Sequence, residues 1–290
     1  METDKIKIIL IEYLKETIVQ VRTIAAQGGG TKVLGDVINR PDDLEIEIDR
    51  VGEVVLKNLL EKYGQSATVF SEPENGDIVV GEHPDFYGSL DPFDNSVLFL
   101  WGFQHSWYTV LSFFDEKKEF LCGAIGDILN NKAYVHDGES VFLLDLENDK
   151  KTPIRPSSRK SLAEPIVLAS YIMSSQYSPK FLDVFGDLVK GMHKRGLLYP
   201  FGGAHIYGHL AAGQVDAYIM FDEPRSEIDP GFAIAKKAGC LIGEVDKDGN
   251  WKDYEFIPGK QHERVPFFVA VANPELRDEI ISYYKHHLSS

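Results

Sequence analysis

Segments with helical periodicity alternate with short strand-like segments along most of this 290-residue chain. Residues 5–26 carry apolar side chains at the spacing of an amphipathic helix, and residues 49–62 repeat that pattern after a short strand. Residues 107–115, 120–125 and 132–136 have the composition of successive antiparallel strands. The alternation predicts an α/β or α+β class in which helices and sheets pack in layers.

The second half of the chain continues this pattern. Its predicted elements are strands over 165–170, 216–220 and 267–271, helices over 179–195, 204–212 and 229–238, and a last helix that starts at Pro274. Between the halves, residues 146–162 are polar and contain two prolines. We therefore predict an N-terminal α+β half over 1–155 and a C-terminal α/β half over 156–290. In the N-terminal half, glycine, asparagine and proline predict a loop from 28 to 43.

The overall charge and the cysteine count limit the classes of function. The formal net charge is −15, and the chain has two cysteines, Cys122 and Cys240. Such a surface repels nucleic acids and anionic membranes, and two cysteines do not make a disulfide framework. The sequence lacks a signal-peptide pattern and any apolar run near the ~20 residues that span a bilayer. We predict a cytoplasmic protein that binds neither nucleic acid nor membrane. An acidic protein with an anionic substrate such as a phosphate ester would need metal ions or a basic pocket to bind it.

Acidic residues stand at the ends of several predicted elements. Asp49 joins a strand to a helix, Glu72 follows a strand, Asp91 and Asp94 follow the next strand, and Asp229 opens a helix. Taken singly, these residues are typical of turns, solvated positions and helix caps. Taken together, they lie where layered α/β proteins build their sites. Clustered carboxylates suit Mg²⁺, and two such ions can clamp the attacking and leaving oxygens of a phosphoryl displacement.

Four motifs, in order, resemble the inositol monophosphatase and fructose-1,6-bisphosphatase superfamily of lithium-sensitive, magnesium-dependent phosphatases. They are Ile48-Asp49, Ser71-Glu72-Pro73-Glu74, Asp91-Pro92-Phe93-Asp94-Asn95-Ser96, and Ile228-Asp229-Pro230-Gly231 running into Lys237-Ala238-Gly239-Cys240. Residues 202–218 are also similar to the segment that precedes the late acid of that family. The resemblance spans nearly the whole chain. It implies the layered αβαβα sugar-phosphatase fold, a homodimer and hydrolysis of a small phosphorylated metabolite.

The same resemblance implies which residues would bind metal. Glu72, Asp91 and the carbonyl oxygen of Phe93 would hold one Mg²⁺. Asp91, Asp94 and Asp229 would hold a second, and a third, weaker ion would bind at Glu72.

The resemblance also assigns the water and the phosphate. Asp49 and the Ser96 hydroxyl would orient the attacking water, and the backbone N–H groups of Asn95 and Ser96 would receive the phosphate. Arg225 stands four residues before Asp229. It is therefore a candidate for contacting a substrate phosphate or hydroxyl.

Three departures from the family pattern leave the function more open. Asn95 replaces a glycine, Ile228 replaces a tryptophan, and Pro73 displaces the second glutamate to Glu74. Asparagine is the best substitute for glycine where φ is positive. Inositol monophosphate and fructose-1,6-bisphosphate are the leading substrates, followed by 3′-phosphoadenosine 5′-phosphate. The alternative is a non-catalytic relative that binds metal and a phosphorylated ligand as a regulator or scaffold.

Two other patterns are more typical of structure than of a site. Residues 246–250 resemble a calcium loop, but the glycine comes too early for one, and a hairpin turn is the better prediction. His205 and His209 share a helix face without a third metal-like ligand. We predict packing or surface positions for both histidines rather than a zinc site.

Overall fold

The computed structural model describes residues 2–37, 40–72 and 76–288. In the first half, the elements are α1 Glu2–Ala26, β1 Val33–Val37, β2 Arg40–Ile46, α2 Asp49–Lys62, β3 Ala67–Ser71, β4 Ile78–Val80, β5 Phe86–Asp94, α3 Ser96–Leu100, β6 Tyr108–Asp115, β7 Phe120–Asp127, β8 Lys132–His136, β9 Val141–Asp145 and β10 Lys150–Pro153. In the second half, they are β11 Val167–Ala169, α4 Ser178–Gly191, β12 Leu197–Tyr199, α5 Ile206–Ala211, β13 Ala217–Pro224, α6 Arg225–Ile228, α7 Phe232–Ala238, β14 Leu241–Val245, β15 Trp251–Asp253, β16 Arg264–Val271 and α8 Pro274–Leu288.

Two large sheets organise these elements. One has eight strands in the order β10-β9-β8-β7-β6-β5-β3-β4, and the other has six in the order β12-β11-β13-β16-β14-β15. Both are mixed, because β3 pairs parallel with β5, and β11 pairs parallel with β12 and β13, while the remaining pairs in both sheets are antiparallel. The antiparallel run β6-β7-β8 is the one that the sequence predicts.

Three hydrophobic clusters show how the layers stack. Helices α1 and α2 pack on one face of the eight-stranded sheet. Helices α5 and α7 lie between its other face and the six-stranded sheet, and α4 and α8 cover the outer face of that second sheet. The order of layers is therefore helix, sheet, helix, sheet, helix, which confirms the predicted αβαβα fold.

The two central strands of the six-stranded sheet alternate their side chains between two of these clusters. Ile219 in β13 and Val269 in β16 face α4 and α8, whereas the neighbouring Tyr218 and Phe268 face the layer of α5 and α7. Successive side chains of a strand point to opposite faces, so a strand with helices on both sides must be apolar throughout. This is why 217–221 reads as a nearly continuous apolar run.

The structure differs from the sequence prediction at two places. Residues 28–43 are not a loop throughout, because β1 and β2 form an antiparallel hairpin. The helix predicted over 229–238 starts only at Phe232, and the preceding turn, α6, ends with Asp229 as its C-cap. Asp229 therefore does not open a helix. Pro73 and Glu74 lie outside the described residues.

Two local predictions, the left-handed conformation of Asn95 and the hairpin turn at residues 246–250, are confirmed. Asn95 has φ 73°, the left-handed conformation expected from its replacement of a glycine. Residues 246–250 connect β14 to β15 as a hairpin, and the Asp246 side chain accepts hydrogen bonds from the backbone N–H groups of Asp248 and Asn250. Leu276 N–H donates to the Asn273 side chain at the start of α8. No helix among the described residues combines the length and apolar character that a membrane span requires.

Candidate active site

Three carboxylates converge where the end of β5 meets α6. One oxygen each of Asp91, Asp94 and Glu227 lies within 4.8 Å of the other two. Strand β5 pairs regularly with β6 up to Asp91, and its register then shifts before Asp94. Pro92 and Phe93 lie within this irregular step, which brings two acids of one strand to the same pocket. Glu72, just beyond the end of the neighbouring strand β3, also lines the pocket.

Asp91 is the least compensated member of this group. Asp91 is 1% exposed, and neither of its carboxylate oxygens has a hydrogen-bond partner among the described residues. Burial, reinforced by the charges of Glu72, Asp94 and Glu227, raises the pKa of Asp91 well above its ordinary value. A buried carboxylate without partners is costly for a fold, and a bound cation removes that cost.

The pocket around these acids is polar and lacks a fixed positive charge. Its wall includes Glu223 and the side chains of Tyr171 and Tyr177, together with Gly202 and Gly203. Among the lining residues that the structure describes there is no lysine, arginine or histidine. These described lining residues therefore offer an anionic ligand no positively charged side chain.

Asp49 and Ser96 form a hydrogen-bonded pair beside the acidic group. Ser96 Oγ lies 3.0 Å from Asp49 Oδ1 and 3.0 Å from the carbonyl oxygen of Phe93. The hydroxyl has one proton, so it donates to one of these acceptors at a time. Asp49 Oδ2 accepts the backbone N–H of Ile46 across 2.7 Å, which fixes the carboxylate at the start of α2.

Asp94 is held by three donors from this chain. Its Oδ2 lies 2.7 Å from the backbone N of His205 and 2.6 Å from His205 Nδ1. Its Oδ1 accepts the side-chain amide of Asn95 across 2.9 Å. Burial lowers the pKa of His205 to about 3, so its imidazole is neutral near pH 7. Since a carboxylate can only accept, the neutral ring must carry its proton on Nδ1.

Two of the residues singled out from the sequence do not reach this pocket. Asp229 is 1% exposed, and its Oδ1 accepts the Tyr254 hydroxyl across 2.7 Å. Burial raises the pKa of Asp229 to about 7. The guanidinium of Arg225 donates to the Tyr254 hydroxyl at 3.0 Å and to Glu244 at 3.2 Å. Neither Asp229 nor Arg225 lines the acidic pocket, although they were predicted as metal ligand and substrate contact.

The other predicted residues come together as expected. Those that line the pocket are Glu72, Asp91, Asp94, Asn95 and Ser96. Asp49 reaches the pocket through its hydrogen bond to Ser96. Phe93 is fully buried, with its ring against Phe99 and Trp107 and its carbonyl oxygen 3.0 Å from Ser96 Oγ, and it is not among the residues that line the pocket.

Sequence reasoning missed Glu227 and Glu223. It predicted a packing or surface position for His205, which is buried in packing, but it missed the hydrogen bond from His205 to Asp94. A signal existed for the two glutamates, because residues 222–229 contain four acids directly after a strongly apolar strand. Residues two apart on a helical turn point in roughly opposite directions, so only one of Glu227 and Asp229 could face the β5 acids. The sequence does not show which of them does.

The chain is similar to known proteins in sequence and in fold. The sequence model of the inositol monophosphatase family matches residues 5–282. A sequence comparison with curated proteins gave no match. Among solved structures, the chain is similar to the extragenic suppressor protein suhB from Bartonella henselae, with 16% identity, coverage of 97% of each chain and a TM-score of 0.70.

Two further solved structures are similar over nearly their whole length. The IMPase of Thermotoga maritima shares 18% identity, with coverage of 99% of this chain and 97% of that chain and a TM-score of 0.67. The inositol monophosphatase from Zymomonas mobilis shares 15% identity, with coverage of 98% and 99% and a TM-score of 0.68. These similarities show the common fold. With the family match over 5–282, they establish that the chain belongs to the inositol monophosphatase family.

Proposed function

We propose that this protein is a Mg²⁺-dependent phosphatase that hydrolyses a small phosphate monoester. The observation that carries the proposal is the buried Asp91 carboxylate, which has no hydrogen-bond partner among the described residues and lies beside Asp94 and Glu227. Two like charges about 4 Å apart repel by roughly 4 kcal/mol at an effective dielectric near 20. An all-carboxylate donor set is the kind that Mg²⁺ prefers over softer metals.

The residues that would hold the ions differ in one position from the prediction made on the sequence. We assign Asp91, Asp94 and Glu227 to one group of ligands, with Glu72 and the Phe93 carbonyl at its edge. Glu227 takes the place predicted for Asp229. Bound divalent cations would neutralise the charge of the phosphate and make a water molecule more acidic.

The chain itself supplies the groups that orient the water and receive its proton. With its own proton donated to Asp49 Oδ1, Ser96 Oγ is an acceptor for the attacking water. The water proton then passes to Ser96 Oγ as the hydroxyl proton of Ser96 moves to Asp49 Oδ1. The departing alcohol oxygen takes up one proton from solvent water and Asp49 returns its proton to solvent, so that the products are the alcohol and inorganic phosphate.

The pocket favours a substrate with a single phosphate. A second phosphate on a bisphosphate would meet Glu223, Glu227 and the two tyrosines, with no fixed cation among the described lining residues. The hydroxyls of a polyol can instead donate to Glu223. One solved structure of SaIMPase-II carries inositol monophosphate and another carries 2′AMP, and each of these ligands has one phosphate. We therefore propose a polyol monophosphate ahead of fructose-1,6-bisphosphate or 3′-phosphoadenosine 5′-phosphate.

Phosphate release with Mg²⁺ on these three substrates tests the proposal. We expect turnover on inositol monophosphate that stops when the metal is chelated and returns when Mg²⁺ is added. Asp94→Asn should remove most of this turnover while the protein keeps its circular dichroism spectrum. Phosphate ligands that bind without any hydrolysis would instead identify the non-catalytic relative. Preference for a bisphosphate would contradict the substrate class alone.

The assembly and location of the protein are separate expectations. We expect a homodimer, measurable by light scattering during size-exclusion chromatography. A cytoplasmic location, without a nucleic-acid partner, stays a prediction from charge and composition.

A further inference from the structure

We infer that His205 is a positioning residue that presets the orientation of the Asp94 carboxylate for metal binding. This inference deepens the proposed function and rests on its assignment of Asp94 as a ligand. It starts from the juxtaposition of His205 Nδ1 with Asp94 Oδ2, at 2.6 Å, deep in the protein.

His205 contributes two donors to a single oxygen. Its backbone N–H and its Nδ1–H both point at Asp94 Oδ2, across 2.7 and 2.6 Å. Two donors fill the two lone-pair directions of that oxygen. Oδ1 is then the Asp94 oxygen that would hold a cation.

The surroundings keep the imidazole from turning away. His205 is fully buried, and its ring stacks on Tyr108 with the centroids 4.6 Å apart and the planes inclined by 10°. Its Nε2 has no hydrogen-bond partner among the described residues. A ring flip would place the Cδ2 carbon where Nδ1 now meets Asp94 and would lose this hydrogen bond, and the stacking and burial favour the orientation that keeps it.

The neighbours of the other oxygen, Oδ1, also limit how far the Asp94 carboxylate can rotate. Asn95 donates to Oδ1 from a backbone with φ 73°. A Cβ atom on Gly203 would overlap Asp94 Oδ1, so the chain approaches this oxygen as closely as glycine allows. Side chains that support a metal ligand typically change metal affinity by roughly 10–100-fold when they are removed.

The experiment compares three variants of the full chain by Mn²⁺ binding, measured by calorimetry without substrate. His205→Ala removes the ring donor, whereas His205→Asn keeps an N–H donor at the δ position. His209→Ala is the matched control, because this histidine lies one turn later and its ring nitrogens hydrogen-bond Tyr108 and Gln214 instead.

We expect His205→Ala to weaken Mn²⁺ binding by at least about tenfold. His205→Asn should recover most of that loss, and His209→Ala should bind Mn²⁺ like the wild type. The Mg²⁺ concentration for half-maximal turnover should follow the same order, while KM for the ester at saturating Mg²⁺ stays nearly constant. A purely structural role would lower the melting temperature of both alanine variants without this order.

Equal Mn²⁺ affinity in His205→Ala and the wild type would overturn the inference, as would equal weakening in His205→Asn and His205→Ala. If His205→Ala fails to fold, the NMR signals of the His205 ring nitrogens in the wild-type protein test the inference, because they show which nitrogen carries the proton. An Nδ1–H tautomer with its proton in a strong hydrogen bond supports the inference, and an Nε2–H tautomer contradicts it. Mn²⁺ binding without ester hydrolysis would contradict the proposed function. The order of Mn²⁺ affinities among the variants would still test the role of His205.

Discussion

Tyr254 donates its hydroxyl proton to Asp229 Oδ1 across 2.7 Å, and both side chains are buried. Arg225 donates to the same hydroxyl, so the three groups form one connected network. This network explains why Asp229, which the sequence pattern placed at the metal site, does not line the acidic pocket. Glu227, two residues earlier on the same turn, lies with Asp91 and Asp94 instead.

We therefore expect Glu227→Gln and Asp229→Asn to behave differently. Glu227→Gln removes a charge from the group of ligands and should cost more turnover than the roughly 10–100-fold typical of lost supporting contacts. Asp229→Asn keeps an oxygen that can accept the Tyr254 hydroxyl, so turnover should change only a few-fold. The measurements are kcat and the Mg²⁺ concentration for half-maximal turnover.

The control for this comparison is the melting temperature of each variant. Both should remain folded, because neither substitution changes side-chain volume appreciably. The reverse order, with Asp229→Asn inactive and Glu227→Gln active, would return the ligand role to Asp229 and contradict our assignment.

The pair of Asp49 and Ser96 gives a second prediction. Ser96→Ala removes the hydroxyl that lies 3.0 Å from Asp49 Oδ1. Since proton transfer by a positioned group contributes about 10²–10⁴-fold to a rate, kcat should fall by at least about 10²-fold. Mn²⁺ affinity should stay close to that of the wild type, because the hydroxyl is not assigned as a ligand.

Ser96→Thr is the matched control for this prediction, since it keeps the hydroxyl and adds one methyl group. Partial activity in Ser96→Thr and none in Ser96→Ala would support the role of the hydroxyl. Full activity in Ser96→Ala would show that Asp49 orients the water without it.

Much of the fold could be predicted because local rules decide it. Helix α2 has the predicted bounds Asp49–Lys62, with an acid in the first turn and a lysine in the last. The positive φ of Asn95 follows from which residues tolerate the left-handed region. Both features depend on residues that are close together in the sequence.

What could not be predicted depends on contacts between distant residues. The bond from Tyr254 to Asp229 joins positions 25 residues apart, and the bonds from His205 to Asp94 join positions 111 apart. Side-chain direction at these sites is decided by tertiary packing, which periodicity does not encode. The β1–β2 hairpin was missed because its first strand, VLGDV, carries no long alternation and contains a glycine.

The close approach of Gly203 to Asp94 gives a third prediction, with an unusually well matched control. Gly203 and Gly239 have nearly the same φ, +110° and +108°. A Cβ atom at Gly203 would overlap the Asp94 carboxylate, whereas a Cβ atom at Gly239 would meet nothing within 4 Å. Alanine at either position adopts an unfavourable backbone conformation, which costs about 1–3 kcal/mol.

Both substitutions should therefore lower the free energy of unfolding in chemical denaturation, Gly239→Ala by this backbone cost and Gly203→Ala by more, because of the added overlap with Asp94. Only Gly203→Ala should also weaken Mn²⁺ binding and turnover, because it displaces Asp94. Equal metal affinity in Gly203→Ala and Gly239→Ala would show that the Asp94 carboxylate can move without loss of binding.

The buried His136 gives a prediction about pH and stability. Burial, with the charge of Lys237 nearby, lowers the pKa of His136 below its ordinary value of 6.5. Its Nδ1 accepts the backbone N–H of Gly138 across 3.2 Å, a bond that requires this nitrogen to be unprotonated. The folded state therefore favours neutral His136, whereas the unfolded chain binds a proton near pH 6.5.

Below pH 6.5 the unfolded state binds more protons at this site than the folded state does, so stability must fall as the pH falls. The loss of stability ends at the lowered pKa of the folded state.

The variant His136→Asn tests this, because it keeps an acceptor oxygen for Gly138 and does not titrate. As the pH falls from 6.5 to the lowered pKa of the folded state, the wild type should lose up to about 1.4 kcal/mol more per pH unit than this variant. Urea unfolding of both proteins at several pH values measures the difference between their free energies of unfolding. The contribution of the acidic pocket is the same in both proteins and cancels in this difference. Parallel stability curves would contradict the lowered pKa of His136.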